Sequence, residues 1–121
     1  MQRLLRRPLK WVGSSRKDVK AFPRSVQRDI GVALYVAQIG DVHPDAKVLK
    51  GFGGASVLEI VSLDKSGTYR AVYTVKFEDA VYMLHAFQKK SKKGIETPKE
   101  DIEVVRRRLT EVERVHKGTN R

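Results

Sequence analysis

The stretch VLEIVSLDKSGTYRAVYTVKFEDAVYMLHAF, residues 57–87, decides the fold class of this chain. It contains three runs rich in β-branched and aromatic residues, at 57–63, 68–75 and 80–87, which short polar links separate. Such runs are typical of strands, and links this short join antiparallel neighbours. The stretch therefore predicts an antiparallel β-meander.

Strand alternation divides the first two strands into two faces. If residue 63 pairs with residue 68, the more apolar side chains share one face and form the better core; they are Leu58, Ile60, Tyr69, Ala71, Tyr73 and Val75. The other face then carries Arg70, with Glu59 diagonal to it. A simple ion pair between these two residues is the alternative to a functional role for Arg70.

The place of His85 depends on the link at residues 76–79. If this link also holds an even number of residues, His85 lies directly opposite Arg70, and Met83 and Phe87 join the same face. An odd link would turn His85 into the core. We expect the even link, and hence an exposed or half-exposed face on which Arg70 and His85 are neighbours.

Helices are predicted on both sides of the meander in sequence. PLKWV at 8–12 indicates a short strand, a helix follows at 15–22, and a second helix runs from Ser25 to Ile39 before a turn-rich loop at 40–56. The segment Thr97-Pro98-Lys99-Glu100 is a capping box with proline at the first helical position, and it predicts a last helix to about residue 115. The fold class is therefore α+β, one domain over residues 1–121, with frayed ends at 1–7 and 117–121. One sheet face is expected to meet solvent or a ligand.

Charge is the strongest signal in the composition. The net charge is +11, and two acid-free clusters, residues 1–10 and 89–93, contribute four cations each. A positive charge of this size favours a polyanionic partner, although two solvated surface segments would give the same charge pattern. The chain has no cysteine, no apolar run of transmembrane length and no secretory signal, so we expect a cytoplasmic protein without membrane contact.

The polar residues of the meander suit RNA cleavage by attack of the 2′-hydroxyl on the neighbouring phosphate. Arg70 can bind two phosphate oxygens, and His85 can transfer protons near neutral pH. Crowded cations lower each other's pKa, which makes Lys90 the candidate lysine acid or base. These three are the predicted catalytic residues. The predicted RNA-binding residues are Lys47, Lys50, Phe87, Lys89, Lys92 and Lys93. No metal site or cofactor is expected, because no histidine or carboxylate cluster has ligand spacing.

The segments LKGFGG, YRAVYTV and YMLHAFQKKSKKGIETPKEDIEVVRRRL resemble the HigB-like branch of the RelE/ParE toxin superfamily. The resemblance implies a RelE-like fold, with an N-terminal helical hairpin, a meander sheet and a C-terminal helix. It further implies the toxin of a type II toxin–antitoxin pair, a ribosome-dependent mRNA interferase that a cognate antitoxin neutralises. Arg70 matches the RelE-type phosphate-binding position, whereas Phe87 stands near the position of a RelE tyrosine and lacks its hydroxyl.

Two other functions stay open at this point. A ParE-like toxin would keep the fold and inhibit gyrase by binding it, although the basic face fits RNA better. A non-catalytic, phage-derived RNA-binding relative would keep the charge and lose the chemistry.

Overall fold

The computed structural model describes residues 6–89 and 96–119, and these form a five-stranded sheet with helices on both faces. The elements in chain order are β1 (Leu9–Trp11), α1 (Ser15–Lys20), α2 (Arg24–Gln38), β2 (Lys47–Val48), β3 (Val57–Asp64), β4 (Gly67–Thr74), β5 (Val81–Lys89) and α3 (Lys99–Thr119). The strand order is β1-β5-β4-β3-β2. Strands β3, β4 and β5 are the predicted antiparallel meander, and β1 adds to β5 in parallel. The mixed α+β class is thus confirmed.

The predicted register of the first hairpin is confirmed. Leu63 pairs with Thr68, and the predicted apolar face packs against α1 and α2. Its buried centre includes Ile30 and Leu34 of α2 and Tyr73 of β4, each at most 2% exposed. The amphipathic stripe of α2 therefore meets one face of the sheet, as its periodicity indicates.

The expectation of a solvent-facing second sheet face was wrong. Helix α3 lies across that face, where Val105, Leu109 and Val112 pack against Val72 and Leu84. The apolar residues recur in α3 at a helical spacing, so they bury a continuous stripe on the sheet. Both faces of the meander are consequently covered, and its polar residues lie under a helix.

The direct opposition of Arg70 and His85 was also wrong. Phe87 lies opposite Arg70 and His85 lies opposite Val72, so the two residues share a face but are diagonal neighbours. The expected even link was wrong too, because Thr74 pairs with Tyr82 and an odd number of residues, 75–81, lies between them. A β-bulge between the Val72 and Tyr73 pairs, where Leu84 is the extra residue, returns His85 to the face of Arg70. Met83 pairs with Tyr73 before the bulge and lies on the α1–α2 side, so the predicted shared face for Met83 and Phe87 was wrong, because it required an unbroken strand.

An arginine of α3 stabilises the bulge. Arg108 donates from Nη1 to the Leu84 carbonyl at 2.8 Å and from Nη2 to the Ser14 hydroxyl at 3.1 Å. Gly13, at φ +57°, makes room for this guanidinium, because an added Cβ would lie 2.7 Å from Arg108 Cζ. Burial lowers the pKa of Arg108 from its usual value.

The contacts of Arg7 and the length of α3 describe the two ends of the described chain. Arg7 donates from Nη1 to the Phe77 carbonyl at 2.8 Å and from Nη2 to the Ala37 carbonyl at 3.0 Å, which ties the start of the chain to two distant segments. Helix α3 continues to Thr119, four residues beyond its predicted end. The expected fraying at 1–7 and 117–121 stays a prediction.

Candidate functional site

Arg70 and Glu59 form a buried ion pair on the α3 side of the sheet. Arg70 Nη1 lies 3.2 Å from Glu59 Oε1, and the two side chains are only 7% and 10% exposed. Thr97, just before α3, donates its hydroxyl to Glu59 Oε2 at 2.9 Å. A buried charge requires a compensating partner, and Glu59 is that partner for Arg70. The ion pair holds the guanidinium in a fixed position.

His85 lies one row from Arg70 and pairs with the first turn of α3. Its Nε2 is 2.8 Å from Asp101 Oδ1. Its ring stacks on Phe87, with centroids 5.0 Å apart and planes at 21°. Since the bulge places Leu84 and His85 against α3, the helix both buries and orients this histidine.

Two nitrogen atoms of this cluster lack hydrogen-bond partners. Within residues 6–89 and 96–119, the buried side-chain atoms without a partner are Arg70 Nε, His85 Nδ1 and the Tyr73 hydroxyl. Buried polar atoms are nearly always satisfied, so two unsatisfied nitrogens on one face single out this cluster as the candidate site. Tyr73 faces the other layer, and burial alone raises the pKa of its hydroxyl to about 12.

The His85–Asp101 contact determines what His85 can do chemically. A carboxylate at Nε2 favours the tautomer with its proton on that nitrogen, which leaves the lone pair on Nδ1. In this state Nδ1 accepts a proton, and in the charged state it donates a hydrogen bond. The arrangement suits a general base that is held beside a cation.

The surroundings restrict where an anion can approach. A cavity of about 530 Å³ borders Phe87 on the α1 side, and its charged lining residues are all acids: Asp18, Glu100 and Asp101. A phosphate would be repelled there. On the opposite side, Val61 pairs with Arg70 and is 39% exposed, so the approach over β3 is free of these carboxylates.

A protein-family comparison matches the model of the phage-derived Gp49-like proteins (DUF891) to residues 17–110. This chain belongs to the Gp49-like family. The family is part of the RelE/HigB toxin-like group. The matched segment contains Arg70, Glu59, His85 and Asp101, so the whole candidate cluster of this Gp49-like protein lies inside it. No curated protein matches the chain.

The other residues of the predicted site differ in their placement. Lys47 pairs with Glu59 across β2 and β3, which puts this exposed lysine at the end of the row that leads through Val72 to His85. Lys50 is exposed just beyond β2, and Lys89 is half-buried at the end of β5. Phe87 stacks on His85 rather than standing free. Lys90, Lys92 and Lys93 lie outside the described residues.

Sequence reasoning missed the carboxylate and hydroxyl that α3 brings to this cluster. Thr97 and Asp101 stand in a segment whose pattern indicates a helix start, and a capping role explains such residues equally well. Their contacts span 38 and 16 residues of sequence. Only the docking of α3 on the second face reveals them.

A second histidine–carboxylate pair, also missed, lies near the far end of α3. His116 Nε2 is 2.9 Å from Asp79 Oδ1, and His116 Nδ1 is 3.0 Å from the Val112 carbonyl. The hydrogen bond to Asp79 raises the pKa of His116 and lowers that of Asp79. Phe77 stacks on the imidazole at 4.1 Å. Both ring nitrogens face acceptors, so this histidine has no lone pair available to act as a base. Its role is structural, because it connects α3 to Asp79.

Metal and membrane sites are not found in the described parts of the chain. Residues 6–89 and 96–119 hold no group of three histidine or carboxylate side chains placed to bind a metal ion. Over the same residues, none of the helices has both the length and the apolar content needed to cross a bilayer.

Proposed function

We propose that this Gp49-like chain is the toxin of a type II toxin–antitoxin pair and a HigB-like, ribosome-dependent mRNA endoribonuclease. The observation that carries the proposal is the pair of orphan nitrogens, Arg70 Nε and His85 Nδ1, buried on one sheet face. A phosphate oxygen of the RNA accepts a hydrogen bond from Arg70 Nε, and the neighbouring 2′-hydroxyl gives its proton to His85 Nδ1. The family's toxin-like character supports the same reading.

The proposed reaction is a transesterification within the RNA backbone. His85 Nδ1 takes the proton of a 2′-hydroxyl as its oxygen bonds to the adjacent phosphorus. Arg70 stabilises the added negative charge, and the bond to the 5′-oxygen breaks as that oxygen takes a proton. Lys90 is the candidate acid for this last step. The products are a 2′,3′-cyclic phosphate and a 5′-hydroxyl end.

Glu59 has a positioning role in this proposal. It occupies Nη1 of Arg70 and leaves Nε unpartnered, so a phosphate can bind the guanidinium without breaking the ion pair. A fixed guanidinium loses little freedom when the substrate binds. Asp101 acts similarly on His85, because it orients the ring and selects its tautomer.

The proposed partners are the ribosome with its mRNA, and a neutralising antitoxin. Lys47, Lys50 and Lys89, together with Lys92 and Lys93, would contact the phosphate backbone. In that case the affinity for ribosomes falls steeply as salt rises, and replacing the lysines at 89–93 by alanine flattens the slope. If the salt dependence stays unchanged in this variant, the lysines at 89–93 do not bind the phosphate backbone and form only a solvated segment.

The proposal is tested by brief expression of the chain without a neutralising partner, followed by mapping of mRNA 5′ ends. We expect cleavage within translated frames that disappears in Arg70→Ala and falls at least 100-fold in His85→Gln, in line with loss of a general base. Arg70→Lys keeps the charge next to Glu59, so it separates a loss of phosphate binding from a failure to fold.

A matched control is available in the second histidine pair. His116→Gln removes a histidine that also contacts a carboxylate, yet it lies far along α3 and should leave cleavage unchanged. Growth arrest with intact mRNA and altered supercoiling would assign the chain to the gyrase-inhibiting class instead. Binding to ribosomes without arrest or cleavage would indicate a non-catalytic relative.

A further inference from the structure

An apolar groove lies between β1 and the two helices of the N-terminal hairpin. Its volume is about 280 Å³, and its apolar lining residues are Leu9, Trp11, Val19, Ile30 and Leu34. It is on the α1–α2 side of the sheet, whereas Arg70 and His85 lie on the α3 side. Sites for drug-sized molecules typically measure about 300–1,000 Å³, so this groove is better matched to one large apolar side chain.

Gly31 opens one wall of this groove. It stands in the interior of α2, where glycine destabilises a helix relative to alanine. An added Cβ would meet nothing within 4 Å, so packing does not require a glycine at this position. Gly31 thus lines the groove without a side chain, and the space beside it is open.

The charges around the groove favour an acidic occupant. Arg16 and Lys20, both exposed, are its ionisable lining residues, and no carboxylate lines it. The amide groups of Gln27 and Gln38 already donate to backbone carbonyls of the chain. A second copy of a chain with a net charge of +11 would bring further cations to this rim, which makes self-association a poor explanation.

We propose that this groove docks a segment of a partner protein that presents one large apolar side chain flanked by aspartate or glutamate. The apolar side chain enters between Trp11 and Gly31, and the flanking carboxylates pair with Arg16 and Lys20. The site is separate from the proposed nuclease cluster and stands whether or not the chain cleaves RNA.

The test uses the full chain and a displayed library of random 16-residue peptides. We expect the selected peptides to share an apolar residue flanked by acids. Their affinity should fall at least tenfold for Gly31→Met, which fills the groove without changing charge. Val32→Met is the matched control, because Val32 is the next residue of α2 and is 48% exposed outside the groove. It should bind like the unchanged chain.

Other results would overturn the proposal. Selected peptides that bind Gly31→Met as well as the unchanged chain would place them elsewhere, on general charge. Concentration-dependent dimers that Gly31→Met abolishes, with no peptide selected, would give the groove to a second copy. Selection that succeeds only after removal of residues 1–5 would give it to the chain's own start.

Discussion

The buried pair of Arg70 and Glu59 allows a quantitative test of the site through Glu59→Gln. This change keeps the shape of the side chain and removes its charge. Arginine does not lose its proton inside proteins, so the guanidinium would remain charged with no partner of opposite charge. We expect the free energy of unfolding to fall by about 3–5 kcal/mol, the usual cost of breaking a buried ion pair.

The geometry of this ion pair supports the cost expected for a buried pair rather than the smaller cost of an exposed one. The two side chains are 7% and 10% exposed and 3.2 Å apart, so water screens their interaction weakly. Exposed pairs contribute only about 0–1 kcal/mol. Glu59 also accepts a hydrogen bond from Thr97 through its second oxygen. A glutamine has only one side-chain oxygen, so it cannot accept from Arg70 and Thr97 in the way that the carboxylate does. Because a domain of this size is stable by about 5–15 kcal/mol in total, the loss is large.

Urea unfolding followed by circular dichroism measures the effect. Glu113→Gln is the matched control, because Glu113 pairs with Lys76 while the two side chains are 35% and 46% exposed; it should cost less than about 1 kcal/mol. The double variant Glu59→Gln/Arg70→Gln should lose less than the sum of its single changes. A cost below 1 kcal/mol for Glu59→Gln would refute the reasoning, since it would mean that the pair is solvated.

The remaining predictions concern pH, an orphan hydroxyl and a helix glycine. The hydrogen bond to Asp79 raises the pKa of His116, so the stability that this histidine contributes is full below pH 6.5 and lost as pH rises through the raised value. The pKa of Asp79 is lowered, so its contribution is present above pH 3.8 and lost as pH falls through the lowered value. Urea midpoints across this range should show both losses, and His116→Gln should remove the upper one. Tyr73→Phe should leave the free energy of unfolding unchanged or slightly higher, because it deletes a buried hydroxyl without a partner; a drop above about 1 kcal/mol would contradict this. Gly31→Ala should raise the thermal midpoint by the equivalent of about 0.5–1 kcal/mol, since its Cβ meets no neighbour.

Local patterns in the sequence determine much of the sheet. The alternation of residues 57–75 predicts the correct hairpin register and the correct apolar face, because both depend on neighbouring residues and a short link. The same logic fails at β5, since the bulge at Leu84 depends on Arg108, 24 residues away, to satisfy its carbonyl. A parity argument assumes an unbroken ladder and cannot detect such a contact.

The candidate site shows the same division between local and distant causes. That Glu59 and Arg70 share a face follows from strand alternation, whereas His85 joins that face only through the bulge at Leu84. The burial of the cluster follows from α3, which meets the sheet through contacts 16, 24 and 37 residues apart in sequence. Asp101 and His116 stand about 22 Å apart along this helix, at a rise of about 1.5 Å per residue. The contact between His116 and Asp79 holds the far end of α3, away from the unsatisfied nitrogens, whereas the contact between Asp101 and His85 orients His85 itself. If the proposed chemistry is correct, Asp101→Asn should therefore lower cleavage more than Asp79→Asn, although both changes remove a carboxylate from a histidine of the same helix–sheet interface.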